Sequence, residues 1–412
     1  MPATANVGDG GAAPLLSGGF TAMTKRSEDE VSTEEFPPRP PTPPSPSSPH
    51  FLFVVDDVRY EAVGELEVRS NGEKLLKAER RVADGVLAGP CLVRRIATPS
   101  TYMMRTRLIE EVQLAFRLNH PNIAQVFHMQ VDEEADAPFA VMEYVGGPSL
   151  ETLVTAALVR GKPLSEGFAL YVGAEVADAL HYAHTLTSEE GVPLGIVHRD
   201  VSPRRLALGP HGEVKVLDFG AAYSLMVGRE ESPENLLRGD VAYASPEYLR
   251  KEGLTPRSDV FSLGVLLVEV LTSKHLFEVH DVPVVASKET RFVTESPPTL
   301  PLQQMQALME TFTPDVVEKA VAHLSEDLKA VLHTALRLNP EERFATAADM
   351  RDALRGVAHA QLRAPYGRAE AAKEAALVVS EGGVLRDQVE FGEAGLYPDG
   401  LEKHELGLPK KE

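Results

Sequence analysis

The sequence predicts an α+β protein in which a small β-rich part precedes a larger helical one. Strand-like segments at 60–70 and 73–82 flank Asn71-Gly72, the strongest short hairpin signal available. After Gly146-Gly147 the character changes, and 168–184 and 260–271 read as long apolar helices.

Taken in order, residues 1–57 form a Pro/Ser-rich extension. Residues 36–49 read FPPRPPTPPSPSSP, and such a stretch cannot bury enough surface to offset its ordering entropy. It is expected to be an extended, disordered linker. A third strand, 91–96, follows a loop containing Gly85, Gly89 and Pro90. Leu108, Val112, Ala115 and Phe116 then recur at helical spacing until Asn119-His120-Pro121-Asn122 stops the helix. Strands at 124–129 and 138–144 complete the first lobe, 58–145. The second lobe, 146–357, adds helices at 327–338 and 345–354 and short strands near 206–208 and 214–216. The tail, 358–412, carries one helical stretch at 369–378 and is otherwise rich in glycine and charge.

A net charge of −20 argues against nucleic acid or an acidic membrane surface as partner, because both require clustered Lys and Arg. The single cysteine, Cys91, has no internal disulfide partner and sits among apolar neighbours, which reads as a buried structural thiol. No apolar run reaches 18 residues; the best candidate, 260–270, is interrupted by Glu269. The N-terminus lacks the basic-then-apolar pattern of a secretory signal, so a cytoplasmic location is expected.

His198-Arg199-Asp200 and Asp218-Phe219-Gly220 stand eighteen residues apart between their aspartates, with Ser245-Pro246-Glu247 downstream. In this order and spacing they resemble the signature set of protein kinases. The run IVHRDVSP at 196–203 is similar to bacterial Ser/Thr kinases of the eukaryotic-like type, in which serine can take the catalytic-loop lysine position, as Ser202 does. The resemblance implies a bilobal kinase fold over 58–357, with Asp200 as general base and Asp218 as metal ligand. It also implies Glu111 as the αC glutamate, Met142 as gatekeeper, and Glu143 to Val145 as the backbone facing an adenine. Asp259 would brace the catalytic loop, and Arg343 would pair with Glu247.

Where the pattern breaks, it breaks on phosphate and metal. Counting from Gly64, the second and third glycines of the phosphate loop become Leu66 and Arg69. The strand lysine that grips phosphate and pairs with the αC glutamate is Arg94, whose planar head projects differently. The metal-binding asparagine, five residues after Asp200, is Arg205, a cation that cannot coordinate magnesium. Arg205 is expected to form an internal salt bridge with Asp218 in place of the ion. The usual threonine before Ser-Pro-Glu is Asp240, which brings a second carboxylate towards Asp200.

The leading expectation is therefore a pseudokinase: a signalling module that binds a protein partner, such as an active kinase, with weak or no phosphotransfer from ATP and magnesium. The alternative is an active, atypical Ser/Thr kinase that uses Asp200 and Asp218, with Lys77 or Lys74 reaching the phosphates.

Overall fold

The computed structural model describes residues 50–68, 74–82, 85–95, 114–132, 137–219, 222, 240–277 and 302–393. Six strands form one antiparallel sheet: β1 (His50–Val55), β2 (Val58–Val68), β3 (Lys74–Arg81), β4 (Leu87–Arg95), β5 (Val126–Asp132) and β6 (Ala137–Glu143), in the order β1-β2-β3-β4-β6-β5. The first strand shortens the extension expected over residues 1–57. Val55 pairs with Val58 across Asp56-Asp57, both at positive φ (48° and 61°). That is the backbone of a two-residue hairpin turn, reached by aspartates, which tolerate the left-handed region, rather than by Asn-Gly.

The strand belongs to the lobe because Phe53 packs against Tyr60 and Phe139, with ring centroids 4.9 and 5.3 Å apart. Tyr60, Ala78, Cys91, Val93, Phe139 and Val141 form that core, and burial pushes the Cys91 thiol up to about 11, as suits an inert side chain. The remaining extension, 1–49, lies outside the described residues, as does Glu111; residues 114–117 are helical and bury Leu114.

The helical lobe holds α1 (Leu150–Val159), α2 (Glu166–His184), α3 (Pro246–Leu249), α4 (Pro256–Thr272), α5 (Leu302–Glu310), α6 (Pro314–Val321), α7 (Glu326–Ala335), α8 (Ala347–Gln361) and α9 (Arg368–Glu393). A two-stranded hairpin, β7 (Leu206–Leu208) and β8 (Val214–Val216), lies between α2 and α3 in sequence. α4 starts at a capping box, Thr255 with Ser258, ends at Ser273 in the left-handed region, and buries residues on every side. Such all-round burial makes it the helix about which the lobe packs. Gly264 lets α7 come close: a Cβ there would lie 3.0–3.1 Å from Leu336 and Ala335. Gly264→Val is expected to destabilise by about 1–3 kcal/mol in urea unfolding despite valine's better helix propensity, because overpacking outweighs a propensity gain below about 1 kcal/mol.

The tail differs from expectation. The helix foreseen at 369–378 is the start of α9, whose Ala371, Ala375 and Val378 are buried in the main core of the lobe. Among the described residues no helix is long and apolar enough to cross a membrane.

Candidate functional site

Asp259, fully buried on α4, organises the segment that carries the site. One carboxylate oxygen accepts from the His198 main-chain N–H at 2.7 Å and faces His184 Nε2 at 2.8 Å. The other accepts from the Arg199 N–H at 2.9 Å. Burial alone would raise the Asp259 pKa, but the His184 bond and the facing histidines hold it below the usual carboxylate range. These bonds sustain Arg199 at φ 66°, a conformation that costs a non-glycine residue about 1–3 kcal/mol. His198 is buried edge-on to Phe219, centroids 4.5 Å apart, and burial pushes its pKa down.

The β7–β8 hairpin then sets two further side chains side by side. Arg205 immediately precedes β7 and Asp218 follows β8, and the Leu217 N–H donates to the Arg205 carbonyl at 2.7 Å across the base. Asp218 takes φ 55°, which turns its carboxylate towards Arg205. Arg205 bridges two aspartates: Nε donates to Asp200 Oδ2 at 2.6 Å and Nη1 to Asp218 Oδ2 at 2.9 Å. Arg94 of β4 approaches the other Asp218 oxygen at 3.7 Å. Asp200 Oδ1 accepts from the Asp240 main-chain N–H at 2.9 Å and the Ser202 hydroxyl at 3.4 Å. The carboxylate of Asp240 does not crowd Asp200 as expected; it turns away and caps the Val241–Tyr243 turn by accepting from the Ala242 N–H at 3.1 Å.

Two cations and two anions thus close on one another. The metal-asparagine position holds a guanidinium, which donates to both aspartates and cannot itself ligate a cation. A divalent ion about 4 Å from that guanidinium would be repelled by about 8 kcal/mol at an effective dielectric near 20.

The other expected site residues are spread along the cleft side. Met142 and Glu143 end β6, in register with Leu92 and Cys91, and Val145 follows. Glu143 is held by Lys215 of β8 at 2.8 Å and accepts from the Gln125 N–H at 3.1 Å. Gly64 lies within strand β2, not in a loop, opposite Lys77 of β3. Residues 69–73 lie outside the described set. Neither His184 nor Lys215 was legible as part of the site, because each acts through a partner far away in sequence (Asp259 and Glu143) and no local motif marks it.

Comparison with known proteins identifies the fold. The family model described as protein kinase domain matches residues 92–354. The chain is 34% identical over 258 residues to the serine/threonine-protein kinase PknB of Mycobacterium tuberculosis, covering 61% of this chain and 35% of that protein. It is 31% identical over 279 residues to the serine/threonine-protein kinase PrkC of Bacillus subtilis, covering 66% and 40%. It is 33% identical over 247 residues to the tyrosine-protein kinase MasK of Myxococcus xanthus, covering 60% and 34%. The chain therefore spans little more than a third of the length of these relatives. With the catalytic-loop and DFG aspartates placed by a kinase C-lobe and the matched model covering more than half its length, the chain belongs to the protein kinase domain family of bacterial Ser/Thr type.

Proposed function

We propose that this chain is a pseudokinase, a cytoplasmic signalling module that keeps the kinase fold to bind a protein partner and transfers little or no phosphate. The observation that carries this reading is Arg205, whose guanidinium occupies Asp200 and Asp218 at once. A base must be free to accept a substrate proton, and the metal aspartate must be free to hold the ion; one side chain engages both. The loss compounds with Arg94 in place of lysine and with Leu66 in place of a loop glycine, since these groups act as a unit. The lysines that could rescue transfer are engaged elsewhere. Lys74 pairs with Glu65 at 2.8 Å, and the Lys77 ammonium lies 4.5 Å over the Tyr144 ring.

Purified protein with labelled ATP and either magnesium or manganese is expected to transfer no more phosphate than its Asp200→Asn variant. Transfer above that control would establish the active-kinase alternative. Thermal melts check the internal ion pair separately. The unaltered chain is expected to show no magnesium-dependent shift with ATP, whereas Arg205→Asn gains one of a few degrees. A shift already present in the unaltered chain and lost in Asp218→Ala would overturn the salt-bridge reading.

A further inference from the structure

The C-terminal helix α9 is built into the lobe at a place that leads back to the site. Tyr366, just before it, lies flat against Gly167 of α2, where a Cβ would come within 2.6 Å of the ring. Its hydroxyl donates to Glu374 at 2.6 Å. The Glu374 carboxylate also accepts from the Ser165 N–H at 2.7 Å and the Ser165 hydroxyl at 2.6 Å, so α9 engages the N-cap of α2. Further along, Glu381 pairs with Arg160 at 2.9 Å, and Gly382 crosses α1 so closely that a Cβ would sit 2.8–3.0 Å from Ala156, backbone included.

The decisive contact is at the first residue of α9. The Arg368 carbonyl lies against Gly212, in the turn that joins β7 to β8; a Cβ on Gly212 would come within 1.9 Å of that oxygen, and the residue holds φ +83°. Tyr171 of α2 clamps the same turn by donating its hydroxyl to the Gly212 carbonyl at 2.8 Å, with the Arg368 side chain at that hydroxyl. The tip of the hairpin therefore rests on the start of α9, and its base carries Arg205 and Asp218. A hairpin of two three-residue strands is too short to be stable alone, so it takes its position from its surroundings: Val216 bonds the main chain of Asn122 and Ala124, Leu208 bonds that of Pro148, and the start of α9 supports the turn.

We propose that the segment from Tyr366 to Gly382 is a positioning strap: by seating on the β7–β8 turn it sets the base of that hairpin, and release of the strap is felt at the Arg205–Asp218 pair. The strap lies beyond the stretch matched by the family model, which ends at residue 354. The inference does not depend on whether the chain transfers phosphate.

Hydrogen exchange of the full chain tests it in two variants. Gly382→Leu drives α9 off α1 by collision with its backbone, and Tyr366→Ala/Glu374→Ala removes the polar seat and the ring on Gly167 while leaving the Gly212 and Gly382 contacts in place. In both, amide exchange is expected to rise several-fold at 206–217 as well as at 368–382. Exchange at 206–217 unchanged in both variants overturns the proposal. If Gly382→Leu loses protection everywhere, the double variant decides alone: a rise at 206–217 with α4 still protected supports the strap, and no rise there overturns it.

Discussion

Replacing Arg343 with alanine is expected to destabilise the chain by about 3–5 kcal/mol, the range for stripping one partner from a buried ion pair. The side chain is wholly buried, and its two terminal nitrogens meet the two oxygens of Glu247 at 2.8 Å each. Ser258 adds a third bond to that carboxylate at 2.7 Å, and the guanidinium also serves the carbonyls of Arg337, Leu338 and Arg257. Burial alone would raise the Glu247 pKa, but the Arg343 bonds outweigh it and hold the group below the usual range. Alanine strips the buried carboxylate of its charged partner, leaving it the Ser258 bond, and takes a donor from three carbonyls, so much of the cost is desolvation rather than the lost attraction itself. Arg343→Lys is expected to recover less than half, because an ammonium cannot bond both oxygens in parallel. Urea unfolding monitored by far-UV circular dichroism measures both variants; a loss below 1 kcal/mol for alanine would refute the assignment.

Glu269→Gln is expected to change how stability depends on pH. Glu269 is half-buried on α4, accepts a hydrogen bond from the Tyr243 hydroxyl and faces Asp240 and Glu151; desolvation, with those two carboxylates, pushes its pKa up to about 7. The same burial, with Glu269 beside it, pushes the Tyr243 hydroxyl pKa up. The remaining neighbours are Arg204, which pairs with Glu151 at 2.8 Å, and His275, whose ring meets Tyr243 edge-on.

A carboxyl whose folded pKa lies above its unfolded value binds its proton more tightly in the native state. Its contribution is fully present below pH 4.5 and is lost as pH rises through about 7. From the shift between those values, the native state forfeits on the order of 3 kcal/mol across this window. Glutamine keeps an acceptor for Tyr243 and cannot ionise, so the variant should gain several degrees in melting temperature over the unaltered chain at pH 8 and little at pH 4.5. His275 works in the opposite sense: burial pushes its pKa down, so acid destabilises through it. That contribution is common to both proteins and drops out of the difference between them. Parallel melting curves at the two pH values would exclude the effect.

Tyr243, which bonds Glu269, belongs to the turn that follows Asp240, whose N–H donates to Asp200. Asp200 is reached from three directions, by Arg205, by Ser202 and by the Asp240 main chain. Replacing Arg205 alone would therefore leave Asp200 held by Ser202 and the Asp240 main chain, and Asp218 facing Arg94.

Much of this was readable from residue order. The HRD, DFG and SPE triplets at fixed spacing imply the C-lobe and its aspartates, and a basic residue five positions after Asp200 implies an ion pair where a metal ligand is expected; Arg205 and Asp218 form that pair at 2.9 Å. Strand and helix positions followed from period and from turn residues, and most fall within a few residues of those observed. What eluded the sequence depended on contacts between distant segments. Strand β1 was missed because Asp56-Asp57 carries no glycine; the turn forms because Phe53 gains a place between Tyr60 and Phe139.

Arg205 reaching Asp200 as well as Asp218, Asp240 presenting its N–H instead of its carboxylate, and Lys215 holding Glu143 are choices among equally charged alternatives. Position in three dimensions decides them, because Coulomb energy and hydrogen-bond geometry depend on distance and direction rather than on order along the chain. The sequence by itself determined the family and the two lobes. Only the tertiary structure decided that Arg94 and Arg205 converge on Asp218, and that the helix beginning at Arg368 seats against the hairpin whose base carries Arg205 and Asp218, because each contact joins segments far apart along the chain.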